Sequence, residues 1–595
     1  MTFTTDTTTT DTTTTTRPTR WDAAADHLES LRTLRPAGVP ADIPEHDYAV
    51  PLGTFLTRWA TGRPDATAIH FYGRDITWRE LDAQVGAVAG WLRSRGVGPG
   101  DRVAVFLANC PQFIVTMLAT LRLGGVHVPV NPMFRAADLT HELTDAAPRV
   151  LVAQSDLVPL VTQVTAAHPD NPVLAGLTVA STALGDELTG PPVPAAPFAW
   201  PTDDSGTDWS EMLTATPVAA DEVTVDPHAL AALNYTGGTT GLPKGCEHTQ
   251  AHMVYTALSI HLGRGSVPGT VATPAVAVAF QPVFWIAGED AVLAALVDGA
   301  TLVLLTRWDA ATVVDLVESQ RATDLVGLAD SFQEILDLPD IADLDLTSLT
   351  ECTAISFVRK LDHDLRADWS ALTGTVLRET AYGMTETHTV DTCTLGLQDG
   401  HRDLAAEPVY CGLPVPGTRI LVVDADLEPL PVGEAGQIIV HSPSVMTGYH
   451  GRPDATAAAL VDGWLLTGDT GRFDADGALT YLARTKDMIK VNGMSVFPAE
   501  VEAILGEHPV VGTVAVAPRE DARRGQVPVA FLTLAEGAGT AGSPVTADEL
   551  RDWAATQMAG YKVPEIVVVD AMPVTATGKI RKVDLLAQLD AGEDA

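Results

Sequence analysis

The chain has 595 residues, 46% hydrophobic and 19% charged, too long for one hydrophobic core and composed like packed globular units. Acidic residues outnumber basic ones 76 to 37, for a formal charge of −39, which repels a phosphodiester backbone from most of the surface and removes nucleic acid from the expected partners. Five cysteines without a Cys-x-x-Cys spacing and no signal-peptide pattern predict reduced, structural thiols in a soluble cytoplasmic protein, and no apolar run reaches bilayer-spanning length.

Residues 1–16 are almost entirely threonine and aspartate and offer no apolar face to bury, so a disordered tail is expected over 1–20. The folded part opens around 22–34. Thr77-x-x-Glu80 is a capping-box pattern, in which hydroxyl and carboxylate satisfy the first free amides of a helix, and Leu81, Val85, Val88 and Leu92 follow on one face. Apolar strands then alternate with amphipathic helices at 103–107, 111–123, 126–130, 136–145 and 150–153, the order that builds a parallel sheet. Between about 170 and 221 the pattern gives way to Pro191-Pro192, Pro194, Pro197 and acidic or small residues, read as a surface excursion between subdomains.

Strands resume at 301–305 and 323–328, a β-rich stretch follows Cys411, and 433–436 turns into a strand at 437–441. Toward the C-terminus a helix at 498–505, strands at 514–516 and 529–534, a loop at 537–544, a helix capped by Thr546-x-x-Glu549, a strand at 566–569 and a last helix after Lys582 suffice for a separate small unit. The predicted fold class is α/β: a large N-terminal domain of parallel α/β subdomains plus a β-rich subdomain over 21–485, and a small mobile α+β C-terminal domain over 486–595.

Four short runs carry the chemistry. Asn234-Tyr235-Thr236-Gly237-Gly238-Thr239-Thr240-Gly241-Leu242-Pro243-Lys244-Gly245 leaves an apolar segment and reads as a phosphate cradle: glycines let successive amides converge on an anion, hydroxyls donate, and Lys244 adds positive charge. It is not a Walker A loop, which requires Gly-Lys followed by Ser or Thr. Tyr382-Gly383-Met384-Thr385-Glu386-Thr387 puts a carboxylate on a loop, a sensible ligand for Mg²⁺ beside phosphate. In Gly463-Trp464-Leu465-Leu466-Thr467-Gly468-Asp469 with the more distal Arg484, the carboxylate can accept from ribose hydroxyls and the guanidinium can donate. The fourth run is Pro573-Val574-Thr575-Ala576-Thr577-Gly578-Lys579-Ile580-Arg581.

In this order the runs resemble the signature motifs of the adenylate-forming superfamily, which contains acyl-CoA synthetases, aryl-CoA ligases, luciferases and peptide-synthetase adenylation domains. The resemblance implies ATP and Mg²⁺ as cofactors and CoA as co-substrate. It implies binding roles for Thr236, Gly237, Gly238, Thr239, Thr240, Gly241 and Lys244, for Tyr382, Gly383 and Thr385, for Asp469 and Arg484, for Lys490 and Gly493, and for Lys579. Thr236 and Glu386 are the implied metal ligands, and Lys579, Lys244, Thr236 and Glu386 the implied catalytic residues, Lys579 bridging the substrate carboxylate and the α-phosphate. The segment Arg484 to Gly493 resembles the hinge between domains, with Lys486 at the pivot and residues up to Ser495 moving in to help bind CoA.

The implied reaction joins a small-molecule carboxylic acid, expected to be a fatty or medium-chain acid, to CoA through an acyl adenylate. Two departures touch the substrate site. Ser356-Phe357-Val358-Arg359-Lys360-Leu361 stands where the family commonly has a small glycine-rich segment; bulk and charge there would shorten the pocket or recognise an anion, and solvent-facing Arg359 and Lys360 are the expected placement. Phe284-Trp285 replaces a frequent Phe-His, and Trp285 would gate an acyl channel or fill core space. Phe280 to Phe284 lacks the pattern that holds an amino acid's ammonium group, which disfavours such a substrate.

Two alternatives stay open: an ATP-dependent activator of an aryl acid or of nitrite that uses no CoA, and a non-catalytic nucleotide-binding relative. His248 and His252, i and i+4 on a possible helix, are expected to pack rather than bind metal for want of a third ligand. Cys246, beside the phosphate loop, has no base in sequence to make it a nucleophile. Nothing in the pattern sets an oligomeric state.

Overall fold

The structure is a computed structural model that describes residues 19–32, 34–36, 38–188, 190–192, 207–236, 243–263, 265, 274–356, 359–380, 382–404, 409–484, 488–491, 494–521, 523–535, 546–558, 560–574 and 580–593. Its strands form four sheets. The first runs in the order Thr178–Thr182, Val150–Gln154, Arg102–Phe106, Val126–Pro129, Leu230–Tyr235, Gly245–Thr249, all parallel except the last. A second sheet is parallel through Leu377–Glu379, Glu351–Ile355, Asp324–Leu328, Val276–Ala279, Thr301–Leu304 and Thr67–Phe71, with Arg74–Thr77 closing it antiparallel.

The alternation of a strand's side chains decides how these sheets meet. In Arg102–Phe106, Val103 and Val105 point into a core shared with Leu302 and Leu304 of the second sheet, while Ala104 and Phe106 join a separate cluster on the opposite face. A strand buried on both sides reads as a continuous apolar run for this reason. The helix Pro111–Arg122 is buried along its whole length. Thr77 and Glu80 form the capping box of Trp78–Ser94, whose Leu81, Val85, Val88 and Leu92 are buried.

An antiparallel sheet containing Val409–Pro414, Leu479–Arg484, Trp464–Phe473, Gly436–His441 and Arg419–Val423 forms the β-rich part. The N-terminal helix Asp22–Leu31 packs on it through Ala25 and Leu28, and Trp21 meets Trp464 edge to face at 5.7 Å. The fourth sheet comprises only strands from Ile489 onward, with the helices Pro498–Gly506, Ala547–Gln557 and Lys582–Glu593. Glu549 completes the capping box begun by Thr546. The expected loop at 537–544 lies outside the described residues.

Two readings change. The stretch read as irregular between 170 and 221 contributes the edge strand Thr178–Thr182, parallel to Val150–Gln154, and the helix Trp209–Thr214. The strand is partly exposed, so its apolar pattern is thin. His248 and His252 do not share a helix: His248 lies in the strand Gly245–Thr249 and His252 in the helix Gln250–Gly263.

Candidate active site

The phosphate-loop run spans the turn of an antiparallel hairpin, between Leu230–Tyr235 and Gly245–Thr249. Its base is closed in both directions: the Thr236 amide donates to the Lys244 carbonyl at 3.0 Å, and the Lys244 amide to Thr236 Oγ1 at 3.3 Å. Gly237, Gly238, Thr239, Thr240 and Gly241 lie outside the described residues. Lys244 Nζ stands 4.0 Å from the centre of the Tyr449 ring, a cation–π contact. The Tyr449 hydroxyl donates to Glu386 Oε1 at 2.8 Å. Tyr449 therefore joins the lysine of one run to the carboxylate of another.

The second run folds as a tight loop around the short helical turn Thr385–Thr387. The Tyr382 carbonyl accepts from the Asp391 amide at 2.9 Å, and Thr387 Oγ1 donates to Asp391 Oδ2 at 2.6 Å. A Cβ on Gly383 would stand 1.0 Å from the Thr389 carbonyl oxygen, so only glycine fits. His388 and Thr389 hold left-handed backbone, φ 54° and 83°, strain that a well-packed site tolerates. The Tyr382 hydroxyl donates to Asp469 Oδ2 at 2.8 Å, and Arg484 Nε lies 3.0 Å from Asp469 Oδ1. Asp469 and Arg484 are cross-strand partners. Burial first, then the neighbouring Asp469 charge, pushes the Tyr382 phenol well up, so it stays a donor.

Thr236, Lys244, Tyr382, Glu386, Asp469 and Arg484 line one cavity of 1210 Å³. A carboxylate and a hydroxyl beside a phosphate site suit Mg²⁺, which takes one or two carboxylates and keeps waters and phosphate oxygens. Among the described residues no group of three His, Cys, Asp or Glu side chains would cage a metal without them.

Lys579 and Gly493 lie outside the described residues, as do Lys486, Phe357 and Val358. The neighbours of Lys579 are informative: Val574 and Ile580 pair as an isolated bridge across 575–579, and Ile580 and Lys582 line the cavity. Lys582 pairs with Glu502 of the C-terminal unit at 2.6 Å, and Glu502 lines the cavity too. Lys490 is exposed on the strand Ile489–Val491 and is not on this wall; its amide donates to Gln526 Oε1 at 2.9 Å.

The same cavity is also lined by small side chains, among them Ala287, Ala291 and Ala294 of the helix Ile286–Asp298. Lys360 is exposed and also lines this cavity; Arg359 is half-buried, is not on the wall and pairs with Asp362 at 3.6 Å. Burial lowers the Lys360 pKa against the opposing charges of Glu379 and Glu502. Glu379 accepts from Ser356 Oγ at 2.5 Å, and burial raises its carboxyl to about 7. Trp285 packs edge-on to Phe284 at 5.2 Å, against the core and off the cavity wall.

Sequence reading missed Tyr449, Glu379 and the buried pair Asp290–His388, in which His388 Nδ1 lies 3.1 Å from Asp290 Oδ1. Nothing local marks them: Tyr449 is 63 residues from Glu386 and reaches it only because Tyr449 bridges to Cys246 on the hairpin. Burial opposes a charged His388, but the adjacent Asp290 carboxylate outweighs it and raises the imidazole pKa. Burial first, then His388 and His252, drives His248 well down, and its Nε2 donates to the Thr385 carbonyl at 2.8 Å. Cys246 is fully buried with its thiol pushed well above its usual value, the mark of a structural cysteine.

The model for an AMP-binding enzyme matches residues 56–450, and that for an AMP-binding enzyme C-terminal domain matches 500–579. The chain is 34% identical over 534 residues to a feruloyl-CoA synthase of Amycolatopsis, covering 89% of this chain and 97% of that relative. It is 30% identical over 575 residues to a long-chain-fatty-acid–CoA ligase of Bacillus subtilis, covering 93% and 97%. ATP-bound MatB from Rhodopseudomonas palustris superimposes with a TM-score of 0.75 at 26% identity, covering 90% of this chain and 98% of that one. With the ordered motifs converging on one cavity, the chain belongs to the AMP-binding, adenylate-forming enzyme family.

Proposed function

We propose that the protein is an ATP-dependent acid–thiol ligase that adenylates a carboxylic acid and passes the acyl group to CoA. The observation that carries this reading is the single cavity lined by Lys244, Glu386, Tyr382, Asp469 and Arg484 and by alanines of the helix Ile286–Asp298. ATP would lie with its phosphates at Thr236 and Lys244 and its ribose at Asp469, where Tyr382 and Arg484 already hold the carboxylate in place. Mg²⁺ at Glu386 and Thr236 would shield the phosphate charge.

The acid's carboxylate oxygen attacks the α-phosphorus, the bond to the bridging oxygen breaks, and pyrophosphate leaves with its electrons. Lys579 is the residue proposed to neutralise charge as the anions approach. The CoA sulfur then attacks the acyl carbon, the thiol proton leaves, and AMP departs, a far better leaving group than hydroxide. Lys490 and Gly493 are proposed to serve this second half-reaction after the C-terminal unit turns, which fits the position of Lys490 off the present cavity wall.

The sequence-based expectation for the substrate is a fatty or medium-chain acid, and a relative named for long-chain fatty acids supports it; one named for a feruloyl group points instead to an aryl acid. The test is pyrophosphate release from ATP over fatty, aryl and amino acids and nitrite, with and without CoA, with Lys579→Ala as control. Release with a fatty or aryl acid, lost in the variant and accompanied by a CoA thioester, supports the ligase. Release that ignores CoA overturns the second half of the reading, and ATP binding without release for any acid overturns the first.

A further inference from the structure

Asp290 is 4% exposed, yet it lies on the cavity wall, on the same helix as Ala287, Ala291 and Ala294. His388 Nδ1 is 3.1 Å from Oδ1, but among the described residues neither carboxylate oxygen receives a well-aligned hydrogen bond. His388 is itself fully buried, and its ring meets that of His248 edge to face at 4.8 Å, so it has little room to realign. A buried carboxylate in this condition lacks the donors that water would give it.

The surroundings define what would supply a donor. His388 is two residues past Glu386, on the same strained loop, so the ion pair ties Asp290 to the loop that carries Glu386. The alanines of the same helix offer no polar group of their own, although Ser259, His261 and Gln281 also line the cavity. A plain alkyl chain seated there would seal the carboxylate from water and leave it with the His388 ion pair but no well-aligned donor, whereas a hydroxyl or amino group on the acid would supply one. Because Asp290 contacts the loop that carries Glu386, a donor carried on a ring near the reacting carboxyl fits it better than one at the end of a long chain.

We infer that Asp290 determines specificity by accepting a hydrogen bond from a hydroxyl or amino substituent of an aromatic acid, with His388 as its positioning residue. This deepens the ligase reading and rests on it for the identity of the acid as substrate.

The test compares paired acids, benzoate with 3-hydroxybenzoate and with 3-aminobenzoate, and cinnamate with 4-hydroxycinnamate, by calorimetric binding to the full chain in the presence of α,β-methylene-ATP, which cannot release pyrophosphate. Hexanoate and decanoate serve as chain controls. The donor-bearing member of at least one pair should bind about 10- to 100-fold more tightly than its partner. Asp290→Leu should erase that preference, and Asp290→Asn, which keeps an acceptor and the shape, should retain part of it and covers the case in which the leucine variant does not fold.

Equal binding within every pair, tightest binding of decanoate, no binding of any acid, or a preference that survives in both variants overturns the inference. The hydroxyl and amino arms separate the two sources of the donor. Binding is read without turnover, so a preference lost in the variants together with absent pyrophosphate release would reject the ligase and keep the Asp290 assignment.

Discussion

Tyr449 links Lys244 to Glu386: its ring carries the ammonium at 4.0 Å and its hydroxyl donates to the carboxylate at 2.8 Å. The lysine and the glutamate come from different motifs and do not need each other's sequence, but one side chain fixes both. Burial and then the Glu386 charge raise the phenol's pKa, so the hydroxyl stays protonated as a donor.

Tyr449→Phe keeps the ring under Lys244 and removes only the bond to Glu386. Loss of a hydrogen bond to a charged group corresponds to about 10- to 100-fold. The expected result is a fall of that size in pyrophosphate release with a raised Mg²⁺ requirement, read by titrating Mg²⁺ at saturating ATP. Tyr449→Leu removes the cation–π contact as well and should fall further. Identical Mg²⁺ curves for wild type and Tyr449→Phe would contradict the linkage.

Gly383→Ala places a methyl 1.0 Å from the Thr389 carbonyl. The backbone must move, and with it the Tyr382 and Glu386 side chains on either side. Nucleotide binding should drop at least tenfold while circular dichroism stays near that of wild type, because the displacement is confined to a loop outside the sheets. Unchanged ATP affinity would show that the loop relaxes without cost.

Glu379 provides a pH signature. Its carboxyl is raised to about 7 by burial, from an ordinary 4.5. The folded state then holds a proton that the unfolded state has already released between those values, so stability declines as pH rises from about 4.5 to about 7, with a contribution of order 3 kcal/mol. Glu289, also raised to about 7 by burial, acts with the same sign. Glu379→Gln should flatten part of the fall in thermal midpoint between pH 5 and 7. A variant as steep as wild type would remove Glu379 as a cause.

Arg366 donates to both carboxylate oxygens of Asp403, and the side chains are 5% and 0% exposed. The pair fastens the helix His363–Thr373 to the turn Asp399–Leu404. Breaking a buried pair from one side strands the other charge, at about 3–5 kcal/mol. Asp403→Ala should lower the denaturation midpoint accordingly, and the double variant Arg366→Met with Asp403→Leu should recover much of the loss.

That Thr236, Lys244, Tyr382, Glu386, Asp469 and Arg484 would share one cavity was legible because each sits in a short run whose glycines, hydroxyls and charge suit an anion site. The strand-helix alternation was legible for a similar reason, since Val103 and Val105 share a face that Ala104 and Phe106 do not. Asp290 and Tyr449 were not, because their roles arise where distant segments pack. His248 and His252 were misplaced because the change from strand to helix falls between them, at Gln250. The edge strand Thr178–Thr182 was hidden by its exposure and by the prolines that follow it.

The loop from Tyr382 to Thr389 reaches Asp469 through Tyr382, Tyr449 through Glu386 and Asp290 through His388. On the proposed reading, choice of acid and handling of ATP depend on the same eight residues, and a substitution at His388 made to change one should disturb the other. Anyone redesigning the substrate range of this enzyme should begin on the helix Ile286–Asp298, whose alanines can be enlarged or exchanged singly while that loop stays as it is.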